Sequence, residues 1–467
     1  LNEFRNRSLG EGIIQKNGVR RGCTPPADTI FLGSYPLQVG ELNGYRISTR
    51  GKIRKIFNGF AVLTILFTTP IFNDLATRVI KAIGSLPDVR LGVISQKSQE
   101  MLSPEVRAHI VANWQVDNVL DAGQLVWAAE SLAKQLGPVH RLLAINEQIQ
   151  VPIAEAREHF GVAGTRAEVA KNFRDKSRMK DLLRAAGLPC ARHRLVTSEQ
   201  EAWEFVGVVG FPVVVKPPAG AASQATFRAA SAEELRHTLW QILPHPKQPV
   251  LLEEFITGEE YSFDTFSING KAVWHSWTHY LPAPLEVTRN DWMQWRVVLP
   301  REVDDNVSEA IRPAGVQALE VLGMDTGLSH LEWFHRADGS VAISEVGMRP
   351  PGAQITTLMS RAHDFDCVTA WARLMVLGEF EPPVRKYAAG AAYLRGQGWG
   401  RVRGVNGYDQ VQRELGDWIT DVKLPEIGQE KSASYEGEGY IILCHPETEF
   451  VEQGLLHIIN SIRIALG

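Results

Sequence analysis

Residues 328–352, LSHLEWFHRADGSVAISEVGMRPPG, constrain this chain more than any other stretch. Two apolar runs, 328–334 and 341–346, flank Asp338-Gly339, a dipeptide suited to the positive φ of a tight hairpin turn. With that dipeptide at the turn centre, Glu332 falls opposite Glu345 and His330 opposite Gly347. Opposed Cβ atoms in a sheet lie ~5 Å apart, and two like charges at that distance repel by roughly 3 kcal/mol at an effective dielectric of about 20. Either one glutamate is protonated or a cation sits between them, and a hard divalent ion such as Mg²⁺ prefers carboxylate oxygens. The same alternation puts Phe334 and Ile343 beside the pair as an apolar floor for a planar base, while Leu331, Trp333, Ala342 and Val346 point away. An exposed hairpin whose glutamates face water is the bland alternative.

At 467 residues the chain is long enough for two or three domains, and 44% hydrophobic with 22% charged residues is ordinary for a globular protein. A net charge of -4 lacks the basic excess expected of a dedicated nucleic-acid binder. Cys23, Cys190, Cys367 and Cys444 form no CxxC pair, which disfavours a zinc knuckle or a disulfide framework and fits a reducing cytoplasm. The apolar run 60–67 is too short to span a bilayer, which takes about 20 residues, and reads as a buried parallel strand.

Residues 1–52 show no sustained period and read as an extension for which disorder is one reading. From residue 53 strands at 62–68, 90–95, around 116–120 and 141–145 alternate with helices at 73–83 and 123–136, and a helix runs through Phe160, giving a small α/β layer over 53–165. No GxGxxG loop is present. Residues 171–188 read as one basic amphipathic helix containing Lys176. The strand 211–216 ends in Lys216 and runs into PPAGAAS, where small residues let backbone N–H groups approach phosphate oxygens. Residues 250–267 read as two strands with a pause at Thr257-Gly258, where backbone groups can meet a base and Glu260 a ribose.

Taken in order, DK…K, VVKP with its small-residue loop, EEFITGEE, HLE and E-x-G-x-R resemble the ATP-grasp superfamily from about residue 62 onward, most strongly over 171–352. The resemblance implies an α/β and α+β ATP-grasp fold: a pre-ATP-grasp domain (53–165), an ATP-grasp domain (166–380, with a lid over about 195–255) and a C-terminal closing subdomain (381–467). It further implies that Lys176 and Lys216 hold ATP phosphates under a loop containing Gly220, Ala221 and Ser223. Glu253, Glu254, Phe255 and Ile256 would lie at the adenine hinge, with Phe334 under the base and Glu260 at the ribose. Glu332 and Glu345 would bind Mg²⁺, with Mn²⁺ as an alternative, and Arg349 would reach the substrate carboxylate or an acyl phosphate.

The closest likeness is to carboxylate-amine ligases of the amino-acid or dipeptide type, which join a small carboxylate to an amine or thiol through an acyl phosphate, releasing ADP and phosphate. Such an enzyme needs no nucleic acid or membrane partner, and a homodimer is one option. The aromatic-rich segment 274–295 is expected as a loop over the acceptor site. Two alternatives stay open: bicarbonate chemistry of the biotin-carboxylase or carbamoyl-phosphate-synthase kind, and a nucleotide-binding subunit without catalysis. The sequence departs from the family at Gly347, where a metal-binding Asn is usual. His330 opposite it, a water, or a single ion could make up the missing ligand, and the water is preferred because imidazole suits Mg²⁺ poorly.

Overall fold

A computed structural model describes residues 62–220, 226–302 and 306–467, with the backbone of a few short strands between residues 30 and 55. The extension 1–52 therefore lies almost wholly outside the described residues, as do Ala221 and Ser223.

Apolar runs of β-branched and aromatic residues form the first layer. Strands Ala112–Gln115, Val89–Ser95, Leu63–Thr69 and Val139–Ala144 make a four-stranded sheet in that order, all parallel. Leu63–Thr69 is its buried centre, which is why it reads as continuous apolar text. Helices cover both faces and start at side-chain caps: Asn73 accepts from Ala76 N for Asp74–Gly84, and Asp121 from Gln124 N for Ala122–Leu136. The strand expected around 116–120 lies earlier, at Ala112–Gln115, because Gln124 Oε1 captures the Asp117 and Asn118 amides in a polar turn before the helix.

The lysine-bearing helix is likewise corrected. Ala167–Arg174 and Lys176–Ala185 are separate helices broken at Asp175, whose carboxylate accepts from Ser177 N and Arg178 N. That break makes Lys176 the first residue of a helix and aligns Lys180 one turn below it on the same face.

Two antiparallel sheets follow. A four-stranded one, in the order His193–Val196, Val250–Glu254, Val213–Lys216, Phe227–Ala229, is backed by helices Glu199–Val209 and Ala232–Ile242. An eight-stranded one runs Val341–Gly347, Gly327–His335, Glu259–Ile268, Lys271–Leu281, Trp295–Leu299, Ala388–Leu394, Gly439–His445, Ile419–Lys423. The C-terminal region thus continues the same sheet that carries the hairpin. Its last helix, Thr448–Ser461, is followed by a short strand, Arg463–Leu466, paired with Val402–Asn406. The segment 274–295 is mostly regular structure instead of a loop: Lys271–Leu281 is a strand that buries Trp274 and Trp277, and only its far end reaches the cavity described below.

Among the described residues Cys190, Cys367 and Cys444 are free thiols, and no helix is long and apolar enough to cross a membrane.

Candidate active site

The hairpin reaches the expected pairing by an unexpected route. Its turn is a three-residue loop, Ala337 to Gly339, closed by Arg336 N to Ser340 O at 2.9 Å, with Gly339 at φ +80°. This sets Trp333 opposite Ile343 and Phe334 opposite Ala342, one residue out of the register of a two-residue turn. A β-bulge at Ser344 then restores the expected register, so that Glu332 faces Glu345, Leu331 faces Val346 and His330 faces Gly347. The bulge also frees the Ser344 carbonyl, which accepts a 2.7 Å hydrogen bond from Lys180 Nζ.

Glu332 and Glu345 line a cavity of about 380 Å³ between the two antiparallel sheets and the C-terminal edge of the parallel one. Lys176, Lys180 and Lys216 converge there, each almost wholly buried. Lys176 Nζ lies 2.7 Å from Glu345 Oε1 and 3.1 Å from the Gly220 carbonyl. Lys216 Nζ lies 2.9 Å from Glu253 Oε2, and Lys180 Nζ 3.5 Å from Glu253 Oε1. Burial raises the cost of charge on Glu345, yet Lys176 and Lys216 outweigh it and hold that carboxyl well below its ordinary range. Burial lowers Lys180 in spite of Glu253, whereas at Lys216 the surrounding glutamates overcome burial and raise the ammonium.

Glu260 behaves oppositely to Glu345. Burial, with Glu332 as like-charged neighbour, pushes its carboxyl well above the usual range. Glu332 has no lysine or arginine at ion-pair distance among the described residues; its neighbours are His330 Nε2 at 3.5 Å and Tyr280 Oη at 3.4 Å. Glu332, whose cationic neighbour is the His330 imidazole, and Glu345, paired with Lys176, face each other across the hairpin, and such a facing carboxylate pair fits a hard cation. Among the described residues no three acidic, His or Cys side chains could hold an ion unaided. A magnesium-type ion taking part of its shell from phosphate oxygens and water suits such a two-carboxylate site.

The hinge has the expected shape, with Phe255 to Gly258 joining strands Val250–Glu254 and Glu259–Ile268. Glu253, expected at the base, instead turns its carboxylate to the two lysines, and Glu254 pairs with Arg192 at 2.6 Å. Ile256 and Phe334 line the cavity, as do Glu254 and Phe255, and the Phe255 ring lies under the Arg228 guanidinium at 4.6 Å.

At the opposite end Arg349 Nε donates to Glu147 Oε2 at 2.9 Å. Glu147 sits just after the last parallel strand, so this ion pair ties the first domain to the hairpin strand. Gly347 is explained here: a Cβ at this position would stand 3.1 Å from Glu147 Oε2, so Glu147 fills the space that a side chain would need. The room left by Gly347 does not go to His330. That ring is held by Asp264 Oδ1 at 2.7 Å, and although burial opposes its charge, Asp264 and Glu332 raise it to about 9.

Lys180, Glu147 and Asp264 were not singled out from sequence. The i, i+4 spacing of Lys176 and Lys180 was an available signal for the first. Glu147 lies outside the motif segments, whereas Asp264 stands four residues after Glu260 on the same strand face, a spacing that was an available signal for it.

A lysine-lined cleft gripped by two antiparallel sheets behind a parallel-sheet domain is the ATP-grasp fold. Residues 181–364 match the ATP-grasp domain family. It is 24% identical over 330 residues to an uncharacterised protein of Sinorhizobium fredii, covering 68% of this chain and 66% of that one. Over 273 residues it is 23% identical to the L-arginine-specific L-amino acid ligase of Bacillus subtilis, covering 57% and 64%. The chain thus spans just under two thirds of the length of each of these curated relatives. The crystal structure of an L-amino acid ligase from Bacillus licheniformis superposes with a TM-score of 0.72 at 16% identity, covering 87% of this chain and 99% of that one, a likeness of fold.

Proposed function

We propose that this chain is an ATP-dependent carboxylate-amine ligase that works through an acyl phosphate and releases ADP and phosphate. The observation that carries this reading is the convergence of Lys176, Lys180 and Lys216 with the facing pair Glu332 and Glu345, and of Arg349, in one cavity. Such an array neutralises a triphosphate at one end and a carboxylate at the other.

In this reading the backbone of Glu254 to Ile256 meets the base, Phe334 underlies it, and Glu260 accepts from or donates to the ribose hydroxyls. Lys176 and Lys216 hold phosphate oxygens beside Gly220. Glu332 and Glu345 hold Mg²⁺ or Mn²⁺, which supplies charge neutralisation as the γ-phosphoryl group moves. Arg349, aimed by Glu147, orients the substrate carboxylate so that its oxygen attacks in line. No protein nucleophile is needed; placement and charge supply the catalysis. The relatives named as amino-acid ligases support amino acids as carboxylate and amine.

Purified protein with ATP, Mg²⁺ and a pool of the proteinogenic amino acids should release ADP and phosphate together with dipeptide. AMP and pyrophosphate would refute the acyl phosphate. ADP formation that requires bicarbonate and ignores amino acids would replace this reading with carboxylase-type chemistry.

A further inference from the structure

One segment lining the cavity has no part in the chemistry above. Tyr435 and Glu436 sit on the loop before strand Gly439–His445, far in sequence from the nucleotide motifs, and both line the cavity opposite the hinge.

This loop is built to hold a fixed shape. Glu438, 3% exposed, accepts from Gly396 N at 2.6 Å and from Ser432 N at 2.8 Å, so one carboxylate ties the loop to itself and to the segment after strand Ala388–Leu394. Glu438 N donates to Leu394 O, Gly437 N to Ser434 O, and Glu436 N to Ser434 Oγ. Gly437 has φ +66°, and a Cβ there would stand 2.6 Å from the Leu394 carbonyl, so no other residue makes this turn without moving the strand. The Tyr435 ring packs edge-on against Trp295 at 4.7 Å between centroids, and Trp295 is anchored by Nε1 to the Pro282 carbonyl.

Among the described residues neither Tyr435 Oη nor the Glu436 carboxylate has a hydrogen-bond partner. Tyr435 lines the same cavity as Arg349, Glu332 and Glu260. Tyr393, Tyr435, Tyr440 and the cation Lys423 interact with Glu436, and Arg395 packs against the adjacent Gly437 with its guanidinium on the Val287, Asn290 and Met293 carbonyls. Burial raises the Glu436 carboxyl and Lys423 only partly opposes this. A half-buried carboxylate that makes no hydrogen bond among the described residues, in the lining of the cavity that also holds Arg349, suits a cationic ligand.

We propose that Glu436 receives the ammonium group of the acceptor and takes its proton, with Tyr435 and Trp295 forming the wall on which the acceptor rests. This rests on the ligase reading above. An ammonium is not a nucleophile. Its N–H bond breaks as an O–H bond forms on Glu436, and the freed lone pair attacks the acyl carbon. The C–N bond then forms, the C–O bond to the phosphoryl group breaks, and phosphate leaves with that electron pair. The second proton leaves the nitrogen for phosphate or solvent.

Hydroxylamine separates the two steps, because at neutral pH it attacks acyl phosphates without help from a base. Wild-type protein with ATP, Mg²⁺, the amino-acid pool and hydroxylamine should give aminoacyl hydroxamate and ADP. Glu436→Gln should keep hydroxamate formation within about 2-fold while dipeptide formation falls by at least ~100-fold, a typical contribution of general-base catalysis. The acid limb of kcat/KM for the amine should also move to higher pH, and Glu436→Asp should recover part of the rate. Dipeptide formation unchanged in Glu436→Gln overturns the assignment, and so does equal loss of hydroxamate and dipeptide. Absence of hydroxamate from the wild type would instead refute the ligase reading, and this proposal with it.

Discussion

Glu147 Oε2 lies 2.9 Å from Arg349 Nε and 3.1 Å from the point where a Cβ on residue 347 would sit. A single carboxylate, carried from the parallel-sheet domain, therefore aims the arginine and fills the space beside a glycine in the E-x-G-x-R run. Gly347→Asn should force Glu147 away and release Arg349. The expected result is a KM for the carboxylate substrate raised at least ~10-fold, equivalent to about 1.4 kcal/mol. Glu147→Gln should do the same without adding bulk. Steady-state kinetics with varied carboxylate decide this, and a wild-type KM in both variants would show that the pair does no positioning.

Glu345→Gln keeps an oxygen for Lys176 and removes the charge that faces Glu332. ADP release should fall at least ~100-fold, the scale seen when a preorganised charge at a reacting phosphate is lost. Far-UV circular dichroism should remain that of the wild type. Turnover at the wild-type rate would remove the metal assignment of Glu332 and Glu345.

Glu253 serves two buried lysines, so its loss and theirs are unequal. Glu253→Ala removes the carboxylate that Lys180 and Lys216 share and should destabilise by roughly 3–5 kcal/mol. Lys180→Met leaves Glu253 paired with Lys216 and should cost clearly less. The double variant should be more stable than the sum of the two losses predicts, because the methionine no longer demands a counter-charge. Denaturant melts of the three proteins provide the cycle; strict additivity would show that the three groups are not coupled.

Helix Ile355–His363 ends in a buried histidine with both ring nitrogens engaged: Nδ1 donates to Met359 O at 2.8 Å, and Nε2 accepts from Arg385 Nε at 3.3 Å. Burial, aided by Arg385, lowers its pKa to about 3. The unfolded chain, with a histidine of ordinary pKa near 6.5, binds the proton first as pH falls. Stability is thus complete above about pH 6.5 and lost as pH drops from there toward 3, by about 2 kcal/mol at pH 5 from this residue. His275 and His279, each lowered to about 4 chiefly by burial, act in the same direction. Thermal midpoints should fall between pH 7 and 5, less steeply in His363→Gln; identical slopes would show that His363 carries none of the effect.

Local chemistry wrote much of this into the text. Apolar runs named the parallel strands, Asp338-Gly339 named a hairpin, and the HLE and E-x-G-x-R runs put Glu332 opposite Glu345 because alternation along a strand is a property of the backbone itself. The pairing was nevertheless reached through two departures, a longer turn and a bulge at Ser344, since the positive φ that Gly339 supplies serves a three-residue turn as well as a two-residue one. Asp175 broke a helix that periodicity alone had joined, because a capping carboxylate competes with helix continuation.

What only the tertiary structure decided is which remote groups share the cavity. Glu253 faces Lys180 and Lys216 instead of a base, Asp264 holds His330, Glu147 fills the space beside Gly347, and Tyr435 and Glu436 enter from the far end of the chain. Asp264 meets His330, and Glu253 meets Lys216, across paired strands of one sheet, whereas Lys180, Glu147 and Tyr435 arrive on separately packed elements; strand pairing and packing choose these partners, and a side chain's neighbours along the sequence carry no trace of them.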